Sequence, residues 1–345
     1  MSRAYLPTRV KDDAEDDDAA TSLSDDDLDE PWDEWDDEES ETFVPLRAVK
    51  AAAAQQKKSA KSASTDDQDG EPAADAASFQ TTYQPSRHEK WWLFTSLRTF
   101  YEQGLITDVL ASVKGGKEAS VYTCRANPAA TNGADIAAVK VYRPRSLRNL
   151  RNDKVYREGR PVLTGEGRAV KNSDTRIMKA LGKKTEFGQQ VAHTSWLLYE
   201  FTTLRTLYAA GGAVPAPYGV SDNAILMGYV GDETAAAPTL SAISLEAKEA
   251  RPLFDETLRN VELMLRHGFV HGDLSAYNIL YHDGAITLID FPQVVNAEAN
   301  PNAPDIFERD VTRVCDYFAR QGLEAAQSPE RIALRMWERA TAAIR

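Results

Sequence analysis

Apolar residues first recur at helical spacing from Leu93 through Leu97 to Phe100 and Tyr101, and Gly104 closes the run, which predicts an opening helix. Leu105 to Ala111 reads as a short linker or strand. Two β-rich runs follow, Glu118–Cys124 and Ile136–Tyr142, separated by the loop Asn127–Asp135 and preceded by the turn Gly115-Gly116. They predict an antiparallel pair. Trp196, Leu197, Phe201, Leu204 and Tyr208 form the apolar side of a longer helix that stops at Gly211. Pro215-Ala216-Pro217 marks a turn, and Ala224 to Val230 is an apolar strand. A helix over 252–267 carries Phe254, Leu258, Val261 and Leu265 on one stripe, with Gly268 beyond it. Two short apolar strands around His282-Asp283-Gly284 predict a hairpin. Two helices close the chain, one with Phe307, Val311, Val314 and Phe318, the other opening at Ser328-Pro329. Strands first and mostly helices later, with a crevice between, predict a two-lobed α+β protein without internal repeats.

The pattern fails over residues 1–84, where Asp/Glu runs and Ala/Lys/Gln repeats offer little apolar surface to offset ordering entropy. This stretch is expected to be a disordered acidic tail, followed by a β-rich lobe over 85–230 and a helical lobe over 231–345. Charge sharpens the division. Residues 1–80 hold 23 Asp/Glu and 8 Lys/Arg, a net of −15, and residues 81–345 hold 30 and 32, a net of +2. Trp32, Trp35 and Phe43 interrupt the acids and could form a docking motif for a basic partner; incidental aromatics in a solvated tail are the plainer alternative. The N-terminus lacks the apolar core of a signal peptide, and no run is long enough to span a membrane. Two cysteines, Cys124 and Cys315, without metal spacing suit a reducing cytoplasm.

Candidate chemistry concentrates in His271-Gly272-Asp273-Leu274-Ser275-Ala276-Tyr277-Asn278, followed by Ile289-Asp290. Asp273 and Asn278 share one loop, and a hairpin at His282-Asp283-Gly284 returns Asp290 beside Asn278. Carboxylate and amide oxygens are the hard ligands magnesium takes, and it takes few of them from protein. An Asp/Asn-capped turn is the plainer alternative.

The run resembles the centre of a kinase-type phosphotransfer site. Other motifs coincide in order: Gly116-Lys117-Glu118-Ala119-Ser120-Val121-Tyr122, then Val139-Lys140-Val141-Tyr142, Glu200-Phe201 and Met227-Gly228-Tyr229-Val230-Gly231. Together they resemble the RIO family of atypical kinases, nearest its type-one branch, over roughly residues 92–322. The resemblance implies a compact two-lobed protein-kinase-like fold, ATP, and magnesium or manganese. It implies that Lys140 meets the α- and β-phosphates and that Glu200 holds its ammonium. The turn with Gly115, Gly116 and Lys117 would cover the triphosphate through backbone N–H groups. Met227, Gly228 and Val230 would form the hinge against adenine. Asp273 would orient or deprotonate the nucleophile, Asn278 and Asp290 would hold the metal, and Asp290 could accept the phosphoryl group as an aspartyl phosphate. His271 reads as a structural histidine.

The chain departs from the family and from ordinary kinases in places. Lys114-Gly115-Gly116 stands where the family usually has Ser-Thr-Gly, which removes side-chain hydroxyls but not backbone donors. Gly228 replaces a larger polar residue. Gly272 replaces the arginine of ordinary kinases, and no Ala-Pro-Glu motif follows Asp290. The usual platform for a peptide substrate is therefore expected to be absent, so that ATP hydrolysis or autophosphorylation is the expected activity, with a ribosomal or RNP maturation role implied by the family. Residues 143–190 hold 13 Lys/Arg and 5 Asp/Glu. This segment could bind RNA phosphates or the chain's own acidic tail, or simply be solvated. Two other functions compete: an aminoglycoside- or choline-type small-molecule phosphotransferase, disfavoured because 55 residues follow Asp290, and a nucleotide-sensing RNA-binding scaffold.

Overall fold

The computed structural model describes residues 81–342 apart from Lys117, 144–157, 165–166, Asn172 and Lys184. The acidic stretch over 1–80, residues 144–157 of the basic segment and Lys117 of the glycine turn thus lie outside the described residues.

Helix α1 (Arg87–Glu102) opens on a capping box in which Ser86 and Glu89 satisfy each other's backbone N–H groups. The chain before it is already fastened. Thr82 donates its amide and its hydroxyl to the Asp108 carboxylate, and the Tyr83 amide donates to Val109 O at 2.9 Å. Thr82 and Tyr83, expected to belong to the tail, are thus held to Asp108 and Val109 by polar bonds that leave no hydrophobic period to read.

Strands β1 (Ile106–Gly115), β2 (Ala119–Ala126), β3 (Ile136–Tyr142), β4 (Pro217–Val220) and β5 (Ala224–Gly228) form one antiparallel sheet in the order β1-β2-β3-β5-β4. The linker-or-strand segment is the start of β1, which runs on into the glycine turn. Side chains alternate between two covered faces. Tyr122, Cys124, Val139, Val141 and Leu226 pack with Leu93, Leu97 and Phe100 of α1. Each such side chain, fully buried, contributes about 1.5–3 kcal/mol. Tyr142 and Ile225 belong to a second, larger core on the other face. Lys140, two residues before Tyr142, shares that second face. Cover on both sides explains why β3 reads as an almost unbroken apolar run.

Helix α2 (Thr175–Gly182) leads to α3 (Glu186–Ala209), which Thr185 caps by accepting the Gly188 amide at 3.1 Å. Leu197, Leu204 and Leu207 of α3 are buried, whereas Tyr208, expected on the apolar side, is exposed. It lies one residue, about 100°, beyond Leu207 around the helix. The apolar side of α3 shares one core with Phe254, Leu265, Phe307 and Phe318, so the core is continuous across the lobe boundary expected at 230.

Helix α4 (Ala247–Arg266) starts before the expected 252, since a Glu246/Glu249 capping box sets its end and Pro252 lies inside it. Two short pairs follow: β6 (Phe269–Val270) with β9 (Val295–Asn296), and β7 (Ile279–His282) with β8 (Ala285–Leu288). Asp283 and Gly284 make the predicted hairpin turn with φ of 48° and 78°, the left-handed pair a two-residue turn needs. Helices α5 (Ala303–Arg320) and α6 (Pro329–Ala342) end the molecule. The result is the expected two-lobed, protein-kinase-like α+β architecture. Among the described residues no helix is long and apolar enough to cross a membrane.

Candidate active site

Sheet register sets the first half of the site. Lys114 pairs with Val121, and Val121 with Lys140, so the end of the glycine turn and Lys140 lie in one row across three strands. The Lys140 ammonium donates to Glu200 Oε1 at 2.9 Å and also to Asp290 Oδ1. It joins β3, α3 and the loop after β8. The Lys140 and Glu200 side chains are only 10% and 5% exposed. The Tyr142 hydroxyl donates to the second Glu200 oxygen, and the ammonium lies 5.0 Å from the centre of the Tyr142 ring. Burial alone would depress the lysine; Asp290 and Glu200 outweigh it and hold Lys140 well above its usual range. Asp290 keeps 42% of its side-chain surface open, yet its carboxyl sits deep enough that desolvation opposes ionisation. Lys140 overcomes this and holds the carboxyl below the usual range.

The second half of the site is the loop after β6. Asn278 Nδ2 donates to Asp273 O at 2.8 Å and lies 3.4 Å from Asp273 Oδ2. The Ile289 amide donates to Asn278 O at 3.0 Å, which brings Asp290 back beside this loop as the hairpin spacing predicts. Partial burial raises the Asp273 carboxyl, and Arg313, whose Nη1 lies 3.1 Å from Asp273 Oδ1, opposes that rise. A raised carboxyl is the stronger base, as a proton acceptor requires. His271 is buried and 3.1 Å from Ile289 O through Nε2; burial pushes it down to about 4, so the ring is neutral and donates to that carbonyl. Through that bond it supports the loop.

Three residues of this loop's support escaped the sequence reading. Asp310, 1% exposed on α5, accepts the Gly272 amide at 2.7 Å. Arg309 donates to Gly272 O at 2.5 Å, and Arg313 pairs with Asp273. Their only signal in the chain is a pair of arginines four residues apart, which on a helix share a face. Gly272 itself is dictated by space. Its φ is +84°, and a Cβ would stand 2.2 Å from Gln293 O. An arginine cannot occupy this position in this backbone.

The described parts of the glycine turn and the hinge flank this centre. Gly116 is required, since its Cβ would meet Ala119 O at 2.8 Å, whereas a Cβ on Gly115 meets nothing. Lys114 is close enough to help hold Asp290 ionised. In the hinge, Met227 pairs with Ala138 on β3. The Gly228 amide donates to Ala216 O at 2.7 Å, and the Val230 carbonyl accepts from the Ala237 amide at 3.0 Å. An adenine edge would thus be met by the other pair, the Gly228 carbonyl and the Val230 amide.

The site combines a buried cation, two oxygen donors and a carboxylate of raised basicity, the components of phosphoryl transfer. A family model described as the RIO domain matches residues 120–331. The chain is 31% identical over 233 residues to the RIO-type serine/threonine-protein kinase Rio1 of Haloferax volcanii, covering 67% of this chain and 70% of that protein. It is 33% identical to the serine/threonine-protein kinase RIO1 of Chaetomium thermophilum and 26% to that of Homo sapiens, but spans only 41% and 35% of their lengths. A solved Rio2 kinase from Chaetomium thermophilum, in a complex with ADP, magnesium and phosphoaspartate, overlays with a TM-score of 0.45 at 18% identity, covering 76% of this chain and 80% of that one.

Proposed function

Because the chain belongs to the RIO domain family of serine/threonine-protein kinases, we propose that it transfers the γ-phosphate of magnesium-bound ATP at the site where Lys140, Glu200 and Asp290 meet. The observation that carries this reading is the buried Lys140 ammonium joined to carboxylates from two other elements. A lysine so buried stays charged only with such partners, which fix the ammonium in place. Lys140 would meet the α- and β-phosphates, with Glu200 fixing its position. Asp273 would take the proton of the attacking group.

The donors fit magnesium. The Asn278 amide nitrogen is engaged by Asp273 O, which turns Asn278 Oδ1 the other way as an oxygen ligand. Asp290 offers its partly open carboxylate. Two protein oxygens match an ion that arrives with phosphates and keeps its waters; bound there, it would neutralise charge on the transferred group. Manganese would satisfy the same donors.

The acceptor need not be a peptide. In an aspartyl-phosphate route an Asp290 oxygen attacks the γ-phosphorus, the bond to the β-phosphate oxygen breaks, and ADP leaves with the electron pair. Water then hydrolyses the acyl phosphate to inorganic phosphate. Labelled ATP would leave a hydroxylamine-labile label on the protein; its absence removes this route. The partner would be RNA or a ribosomal particle of the cytoplasm, held by the basic segment. Exposed Arg168, Lys171, Arg176, Lys179 and Lys183 support that reading. The acidic residues 1–80 would compete for the same segment. Deleting them should raise RNA affinity, and unchanged affinity and salt dependence would end the idea.

The test of the main reading is magnesium-dependent ATP turnover of the full chain and of Asp273→Ala, with and without RNA. Loss of turnover by at least about a hundredfold in the variant is expected of a general base. Equal turnover in the two proteins would overturn the assignment of Asp273 as the base, and no turnover in either would favour a nucleotide-sensing scaffold.

A further inference from the structure

The basic segment has an ordered foot on the active site. Between the end of β3 and α2, residues 158–164 cross α3 and the loop that carries Asp290. Gly159 has a φ of +76°, and a Cβ there would stand 2.5 Å from Ala299 O, so the backbone lies directly against the stretch after β9. Arg160 donates Nη2 to Pro292 O at 2.9 Å. Its guanidinium carbon also lies 4.7 Å from the centre of the Tyr199 ring. The Leu163 amide donates to Ser195 Oγ at 2.8 Å. Arg160 thus contacts the residue before Glu200 and the residue two after Asp290.

That second contact matters because of how Asp290 is held. Its φ is +72°, a conformation that residues other than glycine seldom adopt. Such backbone persists when its surroundings over-determine it. Two carbonyls flanking Asp290 are gripped by side chains: Ile289 O by His271 at 3.1 Å, and Pro292 O by Arg160. His271 comes from the catalytic loop itself. Arg160 comes from the segment with 13 Lys/Arg and 5 Asp/Glu that the proposed chemistry leaves unused. A planar guanidinium can stack on Tyr199 and donate in its plane to Pro292 O at once, which a lysine ammonium cannot.

We infer that Arg160 is a positioning residue for the Asp290 carboxylate and ties the basic segment to the active site. The inference rests on the reading of Asp290 as a metal ligand. Partners of this kind around a metal ligand typically change metal affinity about 10–100-fold when removed. A polyanion that lifts residues 158–163 from α3 would release Asp290 in the same way.

The test compares full-length wild type, Arg160→Ala, Arg160→Lys and Arg335→Ala, the last as a charge-loss control at an exposed position of α6. Two quantities are read: hydrogen exchange of the ligand-free proteins over residues 289–296, and the magnesium concentration that half-saturates ATP turnover. Arg160→Ala should exchange faster there and need about tenfold more magnesium, with the KM for ATP at saturating magnesium little changed. Arg160→Lys should fall between it and wild type, and Arg335→Ala should match wild type. Wild-type exchange in Arg160→Ala overturns the tether, and faster exchange with an unchanged magnesium requirement overturns the positioning role. If Arg160→Ala does not fold, Arg160→Lys decides by the same criteria. If wild type lacks magnesium-dependent turnover, the metal-ligand reading and the positioning role fail together, and faster exchange in ligand-free Arg160→Ala still identifies the tether.

Discussion

The Gly272 amide donates to Asp310 Oδ2 at 2.7 Å, joining the catalytic loop to α5 across 38 residues. A carboxylate buried on a helix thereby fixes the backbone immediately before Asp273. Asp310→Ala leaves the Gly272 N–H and the Arg309 guanidinium without this partner in a buried place. Removing one member of such a network costs about 3–5 kcal/mol, and urea denaturation should show a loss of that order. Asp310→Asn keeps an acceptor for the amide and should lose less than half as much.

The same residue shapes the pH dependence of stability. Burial pushes the Asp310 carboxyl up to about 6, against the pull of Arg309. The folded chain then keeps a proton that the unfolded chain has released, and stability falls as pH rises from about 4 to 6. His271, pushed down to about 4 by burial, acts in the opposite sense. Its unfolded ring is protonated below about 6.5 while the folded ring stays neutral, so stability is lost as pH falls through that window. Relative to wild type, Asp310→Asn should gain about 2 kcal/mol between pH 4.5 and 7, and His271→Gln should lose about as much. Parallel pH curves for all three proteins would contradict both assignments.

Gly272 should tolerate no side chain. Alanine in a left-handed conformation costs about 1–2 kcal/mol, and forcing its Cβ against Gln293 O adds about 1–3 kcal/mol. Gly272→Ala is expected to lower the thermal midpoint by several degrees and Gly272→Arg to fold poorly. A Gly272→Arg protein with wild-type stability would show that the loop backbone is looser than drawn.

Glu200 serves two donors, Lys140 and Tyr142, from one buried carboxylate. Tyr142→Phe removes a hydrogen bond to a charged group, worth about 1.5–3 kcal/mol, while leaving Lys140 paired. Its expected signature is lower stability with a KM for ATP close to wild type. Glu200→Gln should raise that KM, because the lysine then leans on Asp290 alone. Equal effects on KM from both variants would mean that Tyr142 also orients the lysine.

The placement of Lys140 and Asp290 was legible in the chain from local rules, whereas the roles of the site residues came from the resemblance to a family. The hairpin at Asp283-Gly284 fixes where Asp290 returns, and the apolar run around Lys140 announces a buried charge in need of partners. Gly104, Gly211 and Gly268 mark where helices stop. What was not legible depends on tertiary contact between distant polar groups. Asp310 looks like any acidic residue on an amphipathic helix until α5 packs under the loop. Thr82, ahead of α1, is joined to Asp108 by hydrogen bonds that have no period. The start of α4 was masked by Pro252, which suggested a first helical turn yet sits inside the helix.

The central claim is that Lys140, Glu200 and Asp290 form a magnesium-ATP site. Its most direct test is calorimetric titration of ATP into the full-length chain, with and without magnesium, for wild type and Asp290→Asn. Wild type should bind ATP at one site and at least about tenfold more tightly with magnesium, a difference of about 1.4 kcal/mol, and Asp290→Asn should lose that dependence while remaining folded. Equal affinity with and without magnesium in wild type, or an undiminished magnesium effect in Asp290→Asn, would contradict it.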